Sequence, residues 1–183
     1  MAQQSISVDS SAASPAFVTQ CLDPNATGLY SFTAFDIAGV VAATNHVSLF
    51  NPSGSGKTLN IYALTYSSYV STGSAALRSS MAVIRANTIA AGTLQAASTI
   101  NRFRTSYPNA IAEVRTNNPT ATLDGSIIAF PQTNTVGTFF MDRVTGSSPG
   151  GSIALAPGEG IVWRSLVGDT DTNTNISFTW SET

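Results

Sequence analysis

The sequence predicts an all-β chain, a single β-sandwich or jelly-roll-like domain over residues 29–183 with an extended N-terminal arm over residues 1–28. Three observations predict it. Apolar and aromatic residues recur at period two in short runs, as in Ile161 and Trp163 or Phe178 and Trp180, the spacing that puts alternate side chains on one face of a strand. Clusters of Gly, Pro, Asn, Asp and Ser separate these runs, at intervals that suit a sandwich or barrel. The last third closes on a tight Pro157-Gly158 turn between strands, where Pro157 presets φ and Gly158 and Gly160 supply backbone freedom on either side of Glu159.

The arm is rich in Ser, Ala and Gln, and Pro15 and Pro24 hold it extended. Its apolar anchors are Phe17, Val18 and Leu22. Such a composition builds little core, so the arm is expected to order by docking those three residues on a partner. From residue 29 the chain turns aromatic and β-branched. Strands are expected over residues 29–35, 46–50, 58–68, 81–85, 110–115, 126–130, 138–142, 152–155, 160–167 and 176–180. In the third of these, Leu59, Ile61, Ala63 and Thr65 alternate with Asn60, Tyr62, Leu64 and Tyr66. Turns fall at residues 51–56, 117–119, 124–125, 147–151 and 157–158. Residues 90–103 fit two descriptions: Leu94, Ala97 and Ile100 recur every third residue behind Thr93 as an N-cap, so a short helix competes with an irregular loop.

Composition bounds the function. A chain of 183 residues, 43% apolar, suits one domain that buries roughly 70% of its unfolded surface. Only 10% of the residues are charged, against ~25% in ordinary soluble proteins. A polar surface with few ions is covered by a neighbour without desolvating many charges. The net charge of −2 and the single lysine, Lys57, argue against nucleic acid, whose affinity rests on clustered Lys and Arg. Arg102-Phe103-Arg104 is the one local basic cluster and reads as a solvated or interface-pairing site. Cys21 is the sole cysteine, so no intrachain disulfide forms. The first residues lack a basic and apolar leader, and no apolar run is long enough to span a bilayer. Synthesis in the cytosol and no membrane partner are therefore expected.

No residue group calls for catalysis, a cofactor or a metal. Ser53-Gly-Ser-Gly-Lys-Thr58 resembles the end of a phosphate-binding loop, but Asn51 stands where the first glycine belongs and a strand follows where a helix N-terminus is needed. A turn between strands accounts for it. Asp169 to Asn175 carries oxygen ligands at every second residue, yet Thr174 and Trp180 stand where a calcium loop of the EF-hand type needs Gly and an acid. A solvated loop before the last strand is the plainer account, with extended pairing of this segment to a neighbour also open. His46, the only histidine, is expected as a hydrogen-bonded residue at a strand end. Asp36, Glu113, Asp124, Asp142 and Glu159 give no pairing from which glycoside hydrolysis follows. Tyr62, Tyr66 and Tyr69 suggest a half-buried core or interface, with Tyr62 and Tyr66 on one strand face; an exposed tyrosine row that stacks on sugars is the alternative.

Several segments together, His46 to Tyr62, Ala112 to Ala121, Leu155 to Ile161 and the final Trp180-Ser-Glu182, resemble small virion structural proteins of tailed bacteriophages. The resemblance covers about residues 45–183 and leaves out the arm. It implies a β-sandwich or jelly-roll on the phage particle, a capsid cement or decoration protein that binds the outer surface of the major capsid protein shell, and it carries over no catalytic residue. The expected state is a symmetric homotrimer or another small homo-oligomer. The alternatives are a tail or fibre component, a carbohydrate-binding module for host adhesion, and a jelly-roll hydrolase.

Overall fold

The computed structural model describes residues 28–38, 43–70, 79–129, 132–133, 137–141, 153–167 and 172–183. Phe17, Val18, Leu22, Cys21, Asp142 and Asp169 lie outside the described residues, as does nearly all of the predicted arm. The elements in chain order are β1 (Gly28–Ala38), β2 (Asn45–Phe50), β3 (Leu59–Val70), β4 (Ser79–Ala90), β5 (Thr93–Leu94), a 3-10 turn (Ala97–Thr99), β6 (Asn101–Arg102), β7 (Glu113–Thr116), β8 (Thr120–Ala129), β9 (Gln132–Thr133), β10 (Gly137–Met141), β11 (Ile153–Leu155), β12 (Gly160–Val167) and β13 (Thr172–Glu182).

These strands form two antiparallel sheets packed as a sandwich, as the period-two runs predict. The first runs β10-β3-β13-β1-β6, with β11 also on β3; the second runs β5-β7-β2-β12-β4-β8, with β9 also on β4. Tyr30, Phe32, Leu64, Tyr66, Ile176, Phe178 and Trp180 of the first sheet meet Val47, Leu49, Val83, Val114, Ile161 and Trp163 of the second in one buried cluster. Burying each such side chain stabilises by about 1.5–3 kcal/mol. Tyr66 stacks on Trp163 across the sheets at 5.8 Å, and Tyr30 stacks on Trp180 within the first sheet at 5.8 Å.

The C-terminal strand is longer than the sequence suggested. It starts at Thr172, pairs with β3 from Val70 and with β1 from Ala38, and so turns half of the expected solvated loop into sheet. The strand partners are within the same chain. The last residue of β13, Glu182, is buried. The Glu182 carboxylate accepts from the backbone N–H of Ile111 (2.9 Å) and Ala112 (3.2 Å) and from Trp180 Nε1 (3.3 Å). Burial raises its pKa above the usual carboxylate range against the pull of those donors. Burial, then the neighbouring Glu182 carboxylate, pushes the Tyr30 phenol up to about 12, and its hydroxyl donates to Pro108 O at 3.2 Å.

The Pro157-Gly158 turn forms as read, with Glu159 N–H donating to Ala156 O and Gly158 at φ 87°. Gly160 serves another purpose. A Cβ there would stand 2.8 Å from Ile89 Cδ1, 2.9 Å from Leu49 O and 2.9 Å from Phe50 Cδ2, so its hydrogen is what lets β2, β12 and β4 close up. Asn51 ties this corner together. Its side-chain amide donates to Lys57 O (2.7 Å) and Leu155 O (2.9 Å), and its backbone exchanges hydrogen bonds with Glu159 and Gly158. The Ser53 to Thr58 segment is thus a turn between β2 and β3.

Candidate functional site

A β-strand places alternate residues on opposite faces only while its pairing runs without interruption; one extra residue on one strand reverses the alternation and re-aims a side chain. Several such irregularities interrupt the ladders of both sheets, and those on β3, β1 and β2 re-aim the side chains that matter here. In β3, Thr179 faces Ala63 but the next residue, Trp180, faces Ile61, so Tyr62 is extra. Leu59 and Ile61 are buried before it, Leu64 and Tyr66 after it. Tyr62 and Tyr66 therefore do not share a face, which corrects the sequence reading. Tyr66 is in the core, the Tyr62 hydroxyl lies 2.9 Å from Ser181 Oγ, and Tyr69 donates to the Asp36 carboxylate, so no exposed tyrosine row exists.

The other two bulges face one groove. On β1, Ala34 pairs with Ile176 and Ile37 with Thr174, leaving one residue too many at Phe35 and Asp36. Asp36 takes φ 53°, its N–H donates to Asn175 Oδ1 at 2.9 Å, and Phe35 is turned out to 72% exposure. On β2, Val47 pairs with Trp163 and Asn45 with Arg164, which makes His46 the extra residue. The groove spans both sheets, with a volume of about 830 Å³ and walls from residues 32–38, Thr44, His46, Gln95, Thr99 and Thr116 to Asn118. That volume lies within the range of small-molecule sites.

Backbone strain gathers here as well. Among the described residues, the non-glycine positions at positive φ are Asp36, Ala91, Asn117 and Asn118, and all but Ala91 line the groove. Asp and Asn tolerate the left-handed region better than other side chains, and such conformations concentrate at binding sites. The expected turn at residues 117–119 supplies two of them.

His46 forms the groove's most buried polar group. It is 6% exposed and its ring makes no hydrogen bond within the molecule, a departure from the hydrogen-bonded residue expected at a strand end. Burial lowers its pKa to about 4, so the imidazole is neutral at physiological pH and offers one N–H donor and one nitrogen acceptor. The Gln95 amide nitrogen donates to Thr93 O (3.2 Å) and Thr116 Oγ1 (2.9 Å), and Asn117 donates to Thr93 Oγ1 (3.0 Å). These bonds fix both amides while leaving their carbonyl oxygens without internal donors. Asn118 is exposed and has no internal partner.

Among the described residues, further charged side chains are held in local structure. Arg115 pairs with Glu113 at 2.9 Å, Arg85 with Glu159 at 3.6 Å, and Arg164 donates to Asn45 Oδ1 at 2.8 Å. Within the Arg102-Phe103-Arg104 cluster, Arg102 donates to Tyr107 O at 2.9 Å and Arg104 stacks over the Tyr107 ring at 5.8 Å. Among the described residues, no three His, Cys, Asp or Glu side chains gather as a metal site, and no helix is long and apolar enough to cross a membrane.

Fold and groove together define an antiparallel β-sandwich with a cleft that spans both sheets, carries Asp36 as its one charged side chain and has Phe35 exposed beside it. No protein-family model, curated protein or solved structure matches the chain.

Proposed function

We propose that this chain is a non-enzymatic virion structural protein, a capsid cement or decoration protein that works by contact on the outer surface of a major capsid protein shell and reinforces capsomer junctions. The observation that carries the reading is how the described residues handle their few charges: among them, Arg85, Arg102, Arg115 and Arg164 all find partners within the chain. A neighbour covering such a surface leaves few lone ions to desolvate, which favours permanent contacts repeated over many copies. Leu94, Phe103 and Leu166, exposed by 50%, 57% and 37%, add apolar area to that surface. The resemblance of residues 45–183 to phage virion proteins supports the same class. Jelly-roll connectivity, a homotrimeric or similar small assembly, and an extended arm that anchors through Phe17, Val18 and Leu22 belong to this proposal.

The test is occupancy on purified capsids of full-length protein and of a deletion of residues 2–24, across a salt series. Full-length protein should bind with little loss as salt rises, since uncharged contacts are weakly screened, and the deletion should keep its thermal transition but bind less. Steep loss of the full-length protein with salt, or no binding at all, would refute attachment by uncharged contact. Equal occupancy of both forms would remove the arm as the anchor.

A further inference from the structure

We propose that the groove between β1, β2 and the turn at residues 117–118 is a binding site for a neutral oligosaccharide, with Phe35 as the stacking platform and His46, Gln95, Asn117 and Asn118 as hydrogen-bonding partners. The inference stands whether or not the chain belongs to a shell. It rests first on His46, a polar side chain more than nine-tenths buried, set into the groove by a bulge and left with no hydrogen bond inside the molecule. The ring nitrogens are not among the sealed polar atoms of the core, so they open on the groove, where a ligand hydroxyl can meet them. Held neutral by burial, the ring both donates and accepts, as a sugar hydroxyl does.

The rim fits the same ligand. Phe35 offers an open aromatic face at 72% exposure, and the C–H face of a pyranose packs on the negative face of a ring. Gln95 and Asn117 are held by bonds from their amide nitrogens, so their carbonyl oxygens are preorganised acceptors. Asn118 adds a donor and an acceptor. The wall contains no lysine or arginine, and its one charged side chain is Asp36; a phosphorylated or carboxylated ligand finds no cation to pair with there and is repelled by Asp36. A purely apolar ligand leaves the imidazole and amides unpaired. Addition of a peptide strand is opposed by β1 itself, because the bulge at Phe35 and the left-handed Asp36 break the ladder that an incoming strand needs.

The experiment is an NMR titration of the 15N-labelled full chain with maltotriose, cellotriose, mannotriose and chitotriose, with sialyllactose as the charged comparison, repeated on Phe35→Ala and Asn118→Gly. Phe35 is exposed and glycine accepts the φ of 58° at Asn118, so both variants should keep the wild-type thermal transition. At least one neutral sugar should saturate, with shifts at Phe35, Gln95 and residues 117–118 and at the His46 ring. Affinity should fall about tenfold in Phe35→Ala and a few-fold in Asn118→Gly, the scale of one lost stacking face and one lost amide. The proposal is overturned if no neutral sugar saturates up to about 10 mM, a limit that still detects binding weaker than 4 kcal/mol. It is also overturned if the variants bind as wild type does, or if sialyllactose is preferred. Movement of the groove signals on deleting residues 2–24, without any sugar, would show the chain's own arm as the occupant and overturn it too.

Discussion

Replacing His46 by Gln isolates the one imidazole in the chain and makes its burial measurable as a pH effect. Unfolded, the ring titrates near 6.5; folded, burial holds it at about 4. The folded-state value is depressed, so the associated stability is fully present above pH 6.5 and is lost as pH falls toward 4, where the unfolded chain takes up a proton that the folded chain refuses. At about 1.4 kcal/mol per pH unit of displacement the whole effect is roughly 3 kcal/mol, a large share of the 5–15 kcal/mol typical of a domain. For a chain of this length it amounts to roughly 6–12 °C in Tm. Glu182 works in the opposite direction. Its raised pKa lets the folded chain keep a proton that the unfolded chain releases, so its contribution declines as pH rises through that window. The difference between wild type and His46→Gln cancels Glu182 and leaves His46 alone. Thermal unfolding followed by circular dichroism from pH 4 to 7.5 should show the wild type losing stability on acidification relative to the variant. Parallel curves for the two proteins would refute the reasoning.

Three further outcomes follow from the packing. Trp180→Ala should cost about 3–5 kcal/mol in chemical denaturation, since the ring is fully buried against Tyr30 and donates to Glu182, and removing residues 176–183 should abolish soluble folding. Gly160→Ala should destabilise by about 1–3 kcal/mol through overpacking, while Gly54→Ala, where a Cβ meets nothing within 4 Å, should change little; equal effects at the two sites would contradict the close approach at Gly160. In the turn after β2, Asn51→Ala should cost about 1–3 kcal/mol because it leaves the Lys57 and Leu155 carbonyls without its donors, whereas Lys57→Ala should leave the thermal transition nearly in place and calorimetry should find no saturable ATP binding to either form.

The sandwich was legible because its strongest signals are local. Val47 and Leu49, Ile161 and Trp163, and Phe178 and Trp180 recur at period two and all lie in the core, and Pro157-Gly158 carries its turn geometry in its residue types. The groove was not legible, and the reason is the bulges. Whether His46 or Tyr62 is an extra residue depends on which residue sits opposite on β12 or β13, and period-two spacing contains no record of that partner. The same limit hid Phe35: a run ending in Phe35 reads as a strand end, whereas the chain bulges through Asp36 and pairs again to Ala38. Asp36 and the Asn117-Asn118 pair were the available hint, as residue types that accept left-handed backbone. Across residues 90–103 the three-residue spacing of Leu94, Ala97 and Ile100 was too short to nucleate a helix; only Ala97–Thr99 form a 3-10 turn, Ile100 alone is buried, and Thr93 is in β5 rather than capping.

Attachment to a shell is the central claim, and counting copies tests it most directly. Purified particles from the source that encodes the chain, analysed by quantitative mass spectrometry against the major capsid protein, should carry the protein in copy numbers that follow the capsomer lattice, on the order of hundreds per particle as repeated multivalent contact requires. A handful of copies would assign it to a tail, and its absence from washed particles would contradict the account.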